Sequence, residues 1–469
     1  MKRIITHPFF WMIIFSPLFL WLLILLLPTF DDWTYLTTPC FDNFFSERLL
    51  PYKSYWRPFD AAFGYVLGLN YRIFPTLNHI CIYTGHLASA FVLYRIMKFL
   101  GLRKHACNIA LLFFFFSPAM LGTVFDIDSM NQVYAQFWGL VALWIYLNKN
   151  KPTDYILWFL CVYLATFSKE NGITWFVLPQ LIALSFNRIK LKDCIHDTLL
   201  ALIPILLYFI ARYFLTPETV TINDEYLDFT LHTKLRNISL IMMMTWLPFD
   251  YVAVFYAPER NLLLAAITLI TVLPFLYILF WKNRKNLFDK TFVILFICTL
   301  ISTSPHLLTV ASAMHAYASL AIAAIIVAYL IDKCELTVRL KIAFGLFLVS
   351  CLFIDAHHWI KAYESGMTGR RMSIEAIQKT GKPIQKAYVI AIEPSNDKYS
   401  MFCVQPRDCF AWGYSTRQVT GYQWPEILSD TNIVENDQAI IDRITNKAFK
   451  EGFERVWVLR HDTVEVVAP

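Results

Sequence analysis

Long apolar runs separated by short polar connections dominate the pattern along this chain. Most runs approach the roughly 20 residues that a helix needs to cross the hydrocarbon core of a bilayer. Because the apolar residues are continuous rather than alternating, the pattern predicts transmembrane helices and not barrel strands. About eleven spans are predicted, near residues 9–27, 77–97, 106–121, 131–147, 154–168, 172–186, 198–215, 261–280, 290–304, 316–331 and 341–357.

The polar connections alternate in charge along the chain. Every second connection is basic: residues 1–3, 98–104, 149–151, 188–192, 282–290 and 333–341. The connections between them carry acidic residues instead. Because basic loops stay in the cytoplasm, the alternation predicts a cytoplasmic N-terminus. An odd number of spans then puts the C-terminal region on the extracytoplasmic face of a cell (inner) membrane.

Two aromatic-rich stretches do not fit as spans. Residues 57–75 mix aromatic and charged side chains at a spacing that suits a helix lying in the membrane interface. Residues 237–257 are rich in Met and aromatic residues, but an extra span here would reverse the charge alternation of every later loop. We interpret this stretch as a second interfacial or re-entrant segment. Gripping a lipid tail and simple anchoring both remain open for it.

The composition changes after the last span. Residues 361–386 are expected to form a connector, and residues 387–469 a small soluble α/β domain. Residues 388–392 and 455–459 have strand character, and residues 437–453 have helical character. Cys403 and Cys409 lie in this region, where a disulfide and two unpaired thiols are both open interpretations.

Composition supports the membrane assignment. Hydrophobic residues make up 57% of the 469 residues and charged residues only 16%, against roughly 25% charged residues in soluble domains. The net charge of +6 is modest and is explained by the basic loops, so nothing supports a nucleic-acid partner. The first run has no small-residue cleavage site after it, so it is expected to be a retained helix. The predicted fold is an all-α polytopic membrane protein with a small C-terminal α/β extracytoplasmic domain.

An acid pair, Asp31-Asp32, follows the first apolar run directly and is itself followed by Trp33. Carboxylates at a membrane surface either mark the end of a helix or serve as a base whose pKa is tuned by apolar neighbours. Further ionisable residues fall on the same predicted side and come from separate segments. These are Arg57, Asp126, Asp128, Lys169, Glu170, His306 and His315.

Several of these residues together resemble the C-type fold (GT-C) of membrane glycosyltransferases. The shared features are the acid pair that opens a large first loop (28–76), Arg57-Pro58, Leu77-Asn78-His79 with His86, and a Ser-Lys-Glu turn within 167–171. That turn is similar to one in the protein O-mannosyltransferase branch. The resemblance covers roughly residues 1–360. It implies transfer of a hexosyl or pentosyl group from a polyprenyl-phosphate sugar donor to an acceptor hydroxyl outside the cytoplasm.

The resemblance also implies roles for the acids. Asp31 matches the first-loop acid that would remove the proton of the acceptor hydroxyl. Asp32 is the neighbour that would bind a divalent metal or take the base role itself, although the sequence does not require a metal and names no other cofactor. Asp126 or Asp128 would orient hydroxyl groups of the acceptor or the sugar.

The basic residues would face the carrier phosphate. Lys169 would neutralise the leaving group, and Glu170 would fix the lysine; a structural salt bridge is the alternative for this pair. Arg57 is a further phosphate candidate, and anchoring of an interfacial helix is its alternative role. Related enzymes often carry Arg-x-Tyr at the start of a late span, where this chain has His315-Ala316-Tyr317. An imidazole is charged only part of the time at neutral pH, so His306 is expected to assist His315.

Other functions compete with this interpretation. A surface-polysaccharide polymerase or ligase would keep the lipid chemistry but typically relies on a large late loop rather than a first-loop acid. A lipid or sugar transporter would be expected to show internal repeats and Gly- or Pro-interrupted spans. The chain shows no repeat and has only 14 glycines, which favours the transferase.

Overall fold

The computed structural model describes residues 8–28, 31–36, 49–51, 55–71, 73–74, 76–124, 127, 129–216, 229–247, 262–309, 313–392, 416, 420, 428–433, 436–460 and 463–469. Over these residues the chain is mainly helical. The helices are α1 (Pro8–Ile24), α2 (Asp31–Leu36), α3 (Pro58–Asn70), α4 (Thr76–Phe99), α5 (Lys104–Phe116), α6 (Leu121–Val124), α7 (Met130–Asn148), α8 (Pro152–Ser168), α9 (Leu178–Ser185), α10 (Leu191–Leu215), α11 (Leu231–Trp246), α12 (Leu262–Lys282), α13 (Lys290–Thr303), α14 (Ala313–Asp332), α15 (Val338–Thr380) and α16 (Gln438–Lys450). Short 3₁₀ helices cover Pro118–Met120, Glu170–Phe176 and Ser304–Leu308.

Several helices have the length and apolarity of membrane spans. Four of the described segments qualify on both counts: Leu77–Phe99, Leu191–Leu215, Lys290–Leu308 and Met314–Asp332. Shorter apolar helices lie at Pro8–Ile24, Lys104–Phe116 and Leu269–Lys282. The chain is therefore a polytopic helical membrane protein. The count of about eleven spans and their orientation stay predictions.

Helix α14 lies at the centre of the bundle. Its side chains are almost all buried, including every residue from Ala316 to Leu330. Alanines recur along it, and small side chains allow neighbouring helices to approach closely. Hydroxyl hydrogen bonds join it to its neighbours: Tyr317 lies 2.8 Å from His86 Nδ1, and Ser319 lies 2.8 Å from Thr245. Thr245 belongs to α11, so residues 237–246 of the stretch expected at the interface are helical and contact α14.

The segment 172–186 differs from the span predicted there. A 3₁₀ helix from Glu170 to Phe176 precedes the short α9. The 3₁₀ helix packs tightly because two glycines make room for it. A Cβ on Gly172 would overlap the backbone of Ala165, and one on Gly139 would overlap the indole of Trp175. Close backbone approach therefore holds the turn after α8 in place.

Helix α15 is longer than the sequence analysis expects. The predicted span 341–357 and most of the expected connector, up to Thr380, form one helix of 43 residues. It ends at Gly381, whose φ of 75° is the left-handed conformation of a C-terminal cap. Helices α1 and α15 run parallel, since Trp359 Nε1 donates to Leu22 O at 2.9 Å and Gly366 packs against Leu27. The C-terminal ends of both helices therefore point to the same side of the bundle.

A four-stranded sheet follows α15. Its strands are β1 (Ala387–Ile392), β2 (Leu428–Ile433), β3 (Arg455–Arg460) and β4 (Thr463–Val467), in the order β2-β1-β3-β4. Strand β1 pairs in parallel with β2 and β3, while β4 is antiparallel to β3. The strands predicted within 388–392 and 455–459, and the helix within 437–453, are confirmed. Cys403 and Cys409 lie outside the described residues.

Two apolar layers cover this sheet. Met372 and Ala376 at the end of α15 share one cluster with Val389 and Trp457, and Ile441 of α16 belongs to the other cluster. The last turns of α15 are thus one layer of an α/β unit. A single helix joins the membrane bundle to the sheet.

The tight turn predicts the effect of adding one methyl group. Gly172→Ala should lower the thermal stability of the purified protein, because overpacking against backbone costs about 1–3 kcal/mol. Gly345→Ala on α15 is the matched control, since no atom lies within 4 Å of its Cβ position and alanine favours a helix. Thermal unfolding in detergent should show a decrease in Tm only for Gly172→Ala. Equal Tm values for both variants would contradict the packing argument.

Candidate functional site

An ion pair connects the first connection of the chain to the turn after α8. Arg57 Nε lies 3.0 and 2.9 Å from the two carboxylate oxygens of Glu170, and Arg57 Nη2 lies 2.8 Å from Oε2. The backbone N–H of Trp56 donates a further bond to Glu170 Oε1 at 3.1 Å. The indole of Trp56 stacks on Tyr208 with ring centroids 5.4 Å apart. Glu170 thus pairs with Arg57, whereas the sequence analysis expects it to fix Lys169.

The ion pair sets the charge states of both groups. Burial alone would raise the pKa of Glu170, but the charge and hydrogen bonds of Arg57 hold that pKa below its ordinary value. Burial alone would lower the pKa of Arg57, and the Glu170 carboxylate raises it above its ordinary value instead. Both side chains are about a quarter exposed, at 29% and 24%. The pair is therefore fully ionised at neutral pH.

Lys169 is the buried cation of the site. It leaves the last turn of α8 in an extended conformation, and its side chain is almost fully buried. Lys169 Nζ lies 3.0 Å from the sulfur of Met314, and the hydroxyl of Ser129 lies 3.9 Å from the same sulfur. Met314 precedes His315, so Lys169 reaches the first turn of α14.

Two imidazoles complete the cluster. His306 and His315 stack with ring centroids 4.0 Å apart and an interplanar angle of 16°. His306 lies in the 3₁₀ helix after α13, where Asn237 Nδ2 donates to the carbonyls of Leu307 and Thr309. The positive charges of Lys169 and Arg57 act on both imidazoles. We name Arg57, Lys169, Glu170, His306 and His315 the cation cluster.

The acid pair belongs to α2, which is near Tyr71 at the C-terminal end of α3. Asp31 and Asp32 form the first turn of α2, and Asp32 is buried at 2% exposure. Trp33 meets Tyr71 edge-on with ring centroids 6.3 Å apart. Burial raises the pKa of Tyr71 to about 12; the charge of Asp32 acts in the same direction and that of Arg370 against it. Tyr71 follows α3, whereas Arg57 precedes it, and 13 residues of helix span about 20 Å. Asp32 thus lies near the end of α3 that is farther from Arg57.

Asp60 is the carboxylate of α3 near the cation cluster. It lies one turn after Arg57, its charge acts on Arg57, and its Oδ2 lies 3.4 Å from Asn131 Nδ2. Asp60 is not among the catalytic acids predicted from the sequence. Asp126 and Asp128 lie outside the described residues. Within the described ranges no group of three or more His, Cys, Asp or Glu side chains could hold a metal, and Asp32 as a metal ligand stays a prediction.

His86 has a packing role. Its Nδ1 lies 2.8 Å from Tyr317 Oη and its Nε2 lies 3.2 Å from the carbonyl of Phe115. It joins α4, α5 and α14. His79 bonds the backbone of Leu26 near the end of α1. Both histidines are buried and hydrogen-bonded, and their spacing of seven places them on one face of α4.

Sequence reasoning missed three buried amides beside the cation cluster. Gln132 and Gln136 lie on α7, and Asn171 follows Glu170 directly. Each side chain has at least one buried polar atom with no hydrogen-bond partner among the described residues. Their signal in the sequence is two glutamines four residues apart inside an apolar run.

The chain matches no protein-family model and no curated protein. Among solved structures, ArnT from Cupriavidus metallidurans bound to undecaprenyl phosphate is similar in chain trace, with a TM-score of 0.49 and 11% identity. The similarity covers 98% of this chain and 98% of that chain. At this level of similarity no residue role passes from one protein to the other.

The ion pair predicts a defined pH dependence of stability. At pH 7 Glu170→Gln should lower the free energy of unfolding by about 1–3 kcal/mol, because Arg57 loses charge-assisted hydrogen bonds. Since the folded protein lowers the pKa of Glu170 from 4.5, the pair contributes fully above that pH and is lost as pH falls through the lowered pKa. Thermal unfolding should be measured from pH 7 to pH 3 for the wild type and for Glu170→Gln. The Tm values of the two proteins should converge only as the pH falls below 4.5.

Glu375→Gln is the matched control, because it removes an exposed i,i+4 pair with Lys379. Such surface pairs contribute roughly 0.3–0.5 kcal/mol, so its Tm should stay close to that of the wild type throughout. A Glu170→Gln curve that also stays close to wild type at pH 7 would show that the ion pair does not stabilise the turn.

Proposed function

We propose that the protein is a membrane glycosyltransferase of the C-type fold. It transfers a sugar from a polyprenyl-phosphate-linked donor to an acceptor hydroxyl on the extracytoplasmic face. The observation that carries this proposal is the cation cluster, which gathers Arg57, Lys169, His306 and His315 from separate segments of an apolar bundle. Ionisable groups are costly inside an apolar bundle unless they are paired or functional.

The charge of the cluster suits the carrier phosphate. Lys169 and Arg57 contribute two positive charges and Glu170 one negative charge, so the three together carry +1. A phosphodiester between a sugar and a polyprenol carries one negative charge. Cleavage of the sugar–oxygen bond leaves a phosphate monoester with a charge of about −1.5 to −2 at pH 7. The cluster therefore attracts the departing phosphate more strongly than the bound donor, which lowers the barrier.

We propose that the general base is one member of the acid pair, Asp31 or Asp32. Asp126 or Asp128 would orient hydroxyl groups of the sugar or the acceptor. Asp60 is the alternative base, since it is the acid of α3 that acts on Arg57. The base must lie within hydrogen-bond distance of the attacking hydroxyl, and that hydroxyl must meet the sugar beside the phosphate.

The proposed orientation places the N-terminus in the cytoplasm. Alternating basic connections support it. The parallel run of α1 and α15 supports a C-terminal sheet on the same side as the acid pair, because both helices leave the bundle in the same direction. The sheet is then an extracytoplasmic unit beside the acceptor. The membrane is proposed to be the inner membrane of a bacterial cell.

Transfer of labelled sugar tests the proposal. Purified protein would be given a panel of polyprenyl-phosphate sugars, with membrane extract as acceptor. Lys169→Ala should lower kcat/KM at least a hundredfold, as expected when a donor to a developing anion is removed. Lys341 is an exposed lysine in the first turn of α15. Lys341→Ala is therefore the matched control and should leave the rate unchanged.

The same assay identifies the base. Asp31→Asn, Asp32→Asn and Asp60→Asn would be compared in folded protein, and loss of the base should lower kcat about 10²–10⁴-fold. Retained activity in all three variants would contradict base catalysis by these acids. Absence of transfer by folded wild type from every donor would favour a transporter or a polymerase that uses diphosphate-linked substrates.

A further inference from the structure

Gln132 and Gln136 share one face of α7 with two informative neighbours. Residues three and four apart lie on the same side of a helix, so this face also carries Ser129 and Gly139. Ser129 contacts the sulfur of Met314, the atom that Lys169 Nζ also contacts. Gly139 packs under the indole of Trp175. Along α7 the two glutamines therefore lie between the contact with Met314 and the contact with Trp175.

Asn171 lies on the 3₁₀ helix that packs against α7. It is the second residue of that 3₁₀ helix, directly after the carboxylate that holds Arg57. Its backbone carbonyl accepts a bond from Thr174 Oγ1 at 2.8 Å, which fixes the turn locally. Two structural elements that adjoin the cation cluster thus carry buried side-chain amides.

The amides are buried but incompletely bonded. Gln132 is 0% exposed, Gln136 is 2% and Asn171 is 5%. Oε1 and Nε2 of Gln132, Nε2 of Gln136 and Oδ1 of Asn171 have no hydrogen-bond partner among the described residues. Each such buried group opposes folding, because its hydrogen bonds to water are lost without replacement. An apolar helix face would be cheaper for folding alone, so these positions indicate a ligand with hydrogen-bonding groups.

We propose that Gln132, Gln136 and Asn171 bind the sugar ring of the lipid-linked donor. The inference rests on the proposed function, because the sugar is attached to the phosphate that the cation cluster would hold. An amide both donates and accepts hydrogen bonds, which matches sugar hydroxyls that do the same. A phosphate only accepts, and it is served by the neighbouring cations. The amides would bind the sugar hydroxyls, and the cations would bind the phosphate of the carrier.

Equilibrium binding separates these two tasks. The probes are a short-chain polyprenyl phosphate and the same lipid carrying glucose, mannose or arabinose, measured on protein in lipid nanodiscs. The wild type should bind at least one sugar-bearing lipid more tightly than the bare phosphate. Gln132→Leu and Gln136→Leu should each weaken binding of that lipid about tenfold, as loss of one or two hydrogen bonds predicts. Their affinity for the bare phosphate should stay unchanged.

Two control variants frame the result. Lys169→Ala should weaken binding of both lipids. Gln180→Leu, at a fully buried glutamine of α9, should change neither affinity. If the two α7 variants weaken the bare phosphate equally, or keep the preference for the sugar, the amides do not bind the sugar.

Thermal stability provides a second, independent measurement. Gln132→Leu should keep or raise the Tm of the ligand-free protein, because that side chain has no hydrogen bond to any residue that the structure describes. A purely structural glutamine would lower the Tm instead, and that result would overturn the inference. A wild type that binds the bare phosphate but gains nothing from a sugar overturns the inference alone. A wild type that binds neither lipid overturns the proposed function and the inference with it.

Discussion

The ion pair between Arg57 and Glu170 is the interaction on which the arrangement of the site depends. An unpaired charge inside an apolar bundle is costly, so each of the two groups restricts where the other can lie. Their contact joins segments that are 113 residues apart in the chain. Because Lys169 precedes Glu170 directly, the pair also fixes the direction in which Lys169 leaves α8. The stacked histidines then lie within the field of both cations.

Local pattern was sufficient to predict the elements of the C-terminal sheet and the apolar character of the bundle. It failed where packing overrides local preference. Residues 172–186 read as a span, yet close approach at Gly139 and Gly172 selects a 3₁₀ helix and a short α9. Residues 361–380 lose their apolar run, yet they stay helical because one face packs against the sheet. Neither contact can be read from a window of sequence.

The candidate site was predictable to the extent that its residues carry charge. Charged side chains in apolar surroundings stand out in a sequence, which is why Arg57, Lys169 and Glu170 were singled out. Their pairing was not predictable, since the partner of Glu170 depends on the path of the first connection. Neutral amides give a weaker signal, because a glutamine in an apolar helix costs less than a charge. Gln132 and Gln136 became informative only once their burial and missing partners were known.

The length of α3 constrains where the general base and the carrier phosphate can lie relative to each other. Arg57 lies before its first turn, and Tyr71, beside the acid pair, follows its last, about 20 Å of helix away. A base acts only within about 3 Å of the hydroxyl it deprotonates, and that hydroxyl must attack the carbon next to the carrier phosphate. Asp32 lies near Tyr71, so as the base it would require the hydroxyl to come near the C-terminal end of α3. Asp60 lies one turn from Arg57, and its charge acts on that residue. The identity of the base therefore decides which end of α3 the acceptor hydroxyl must reach.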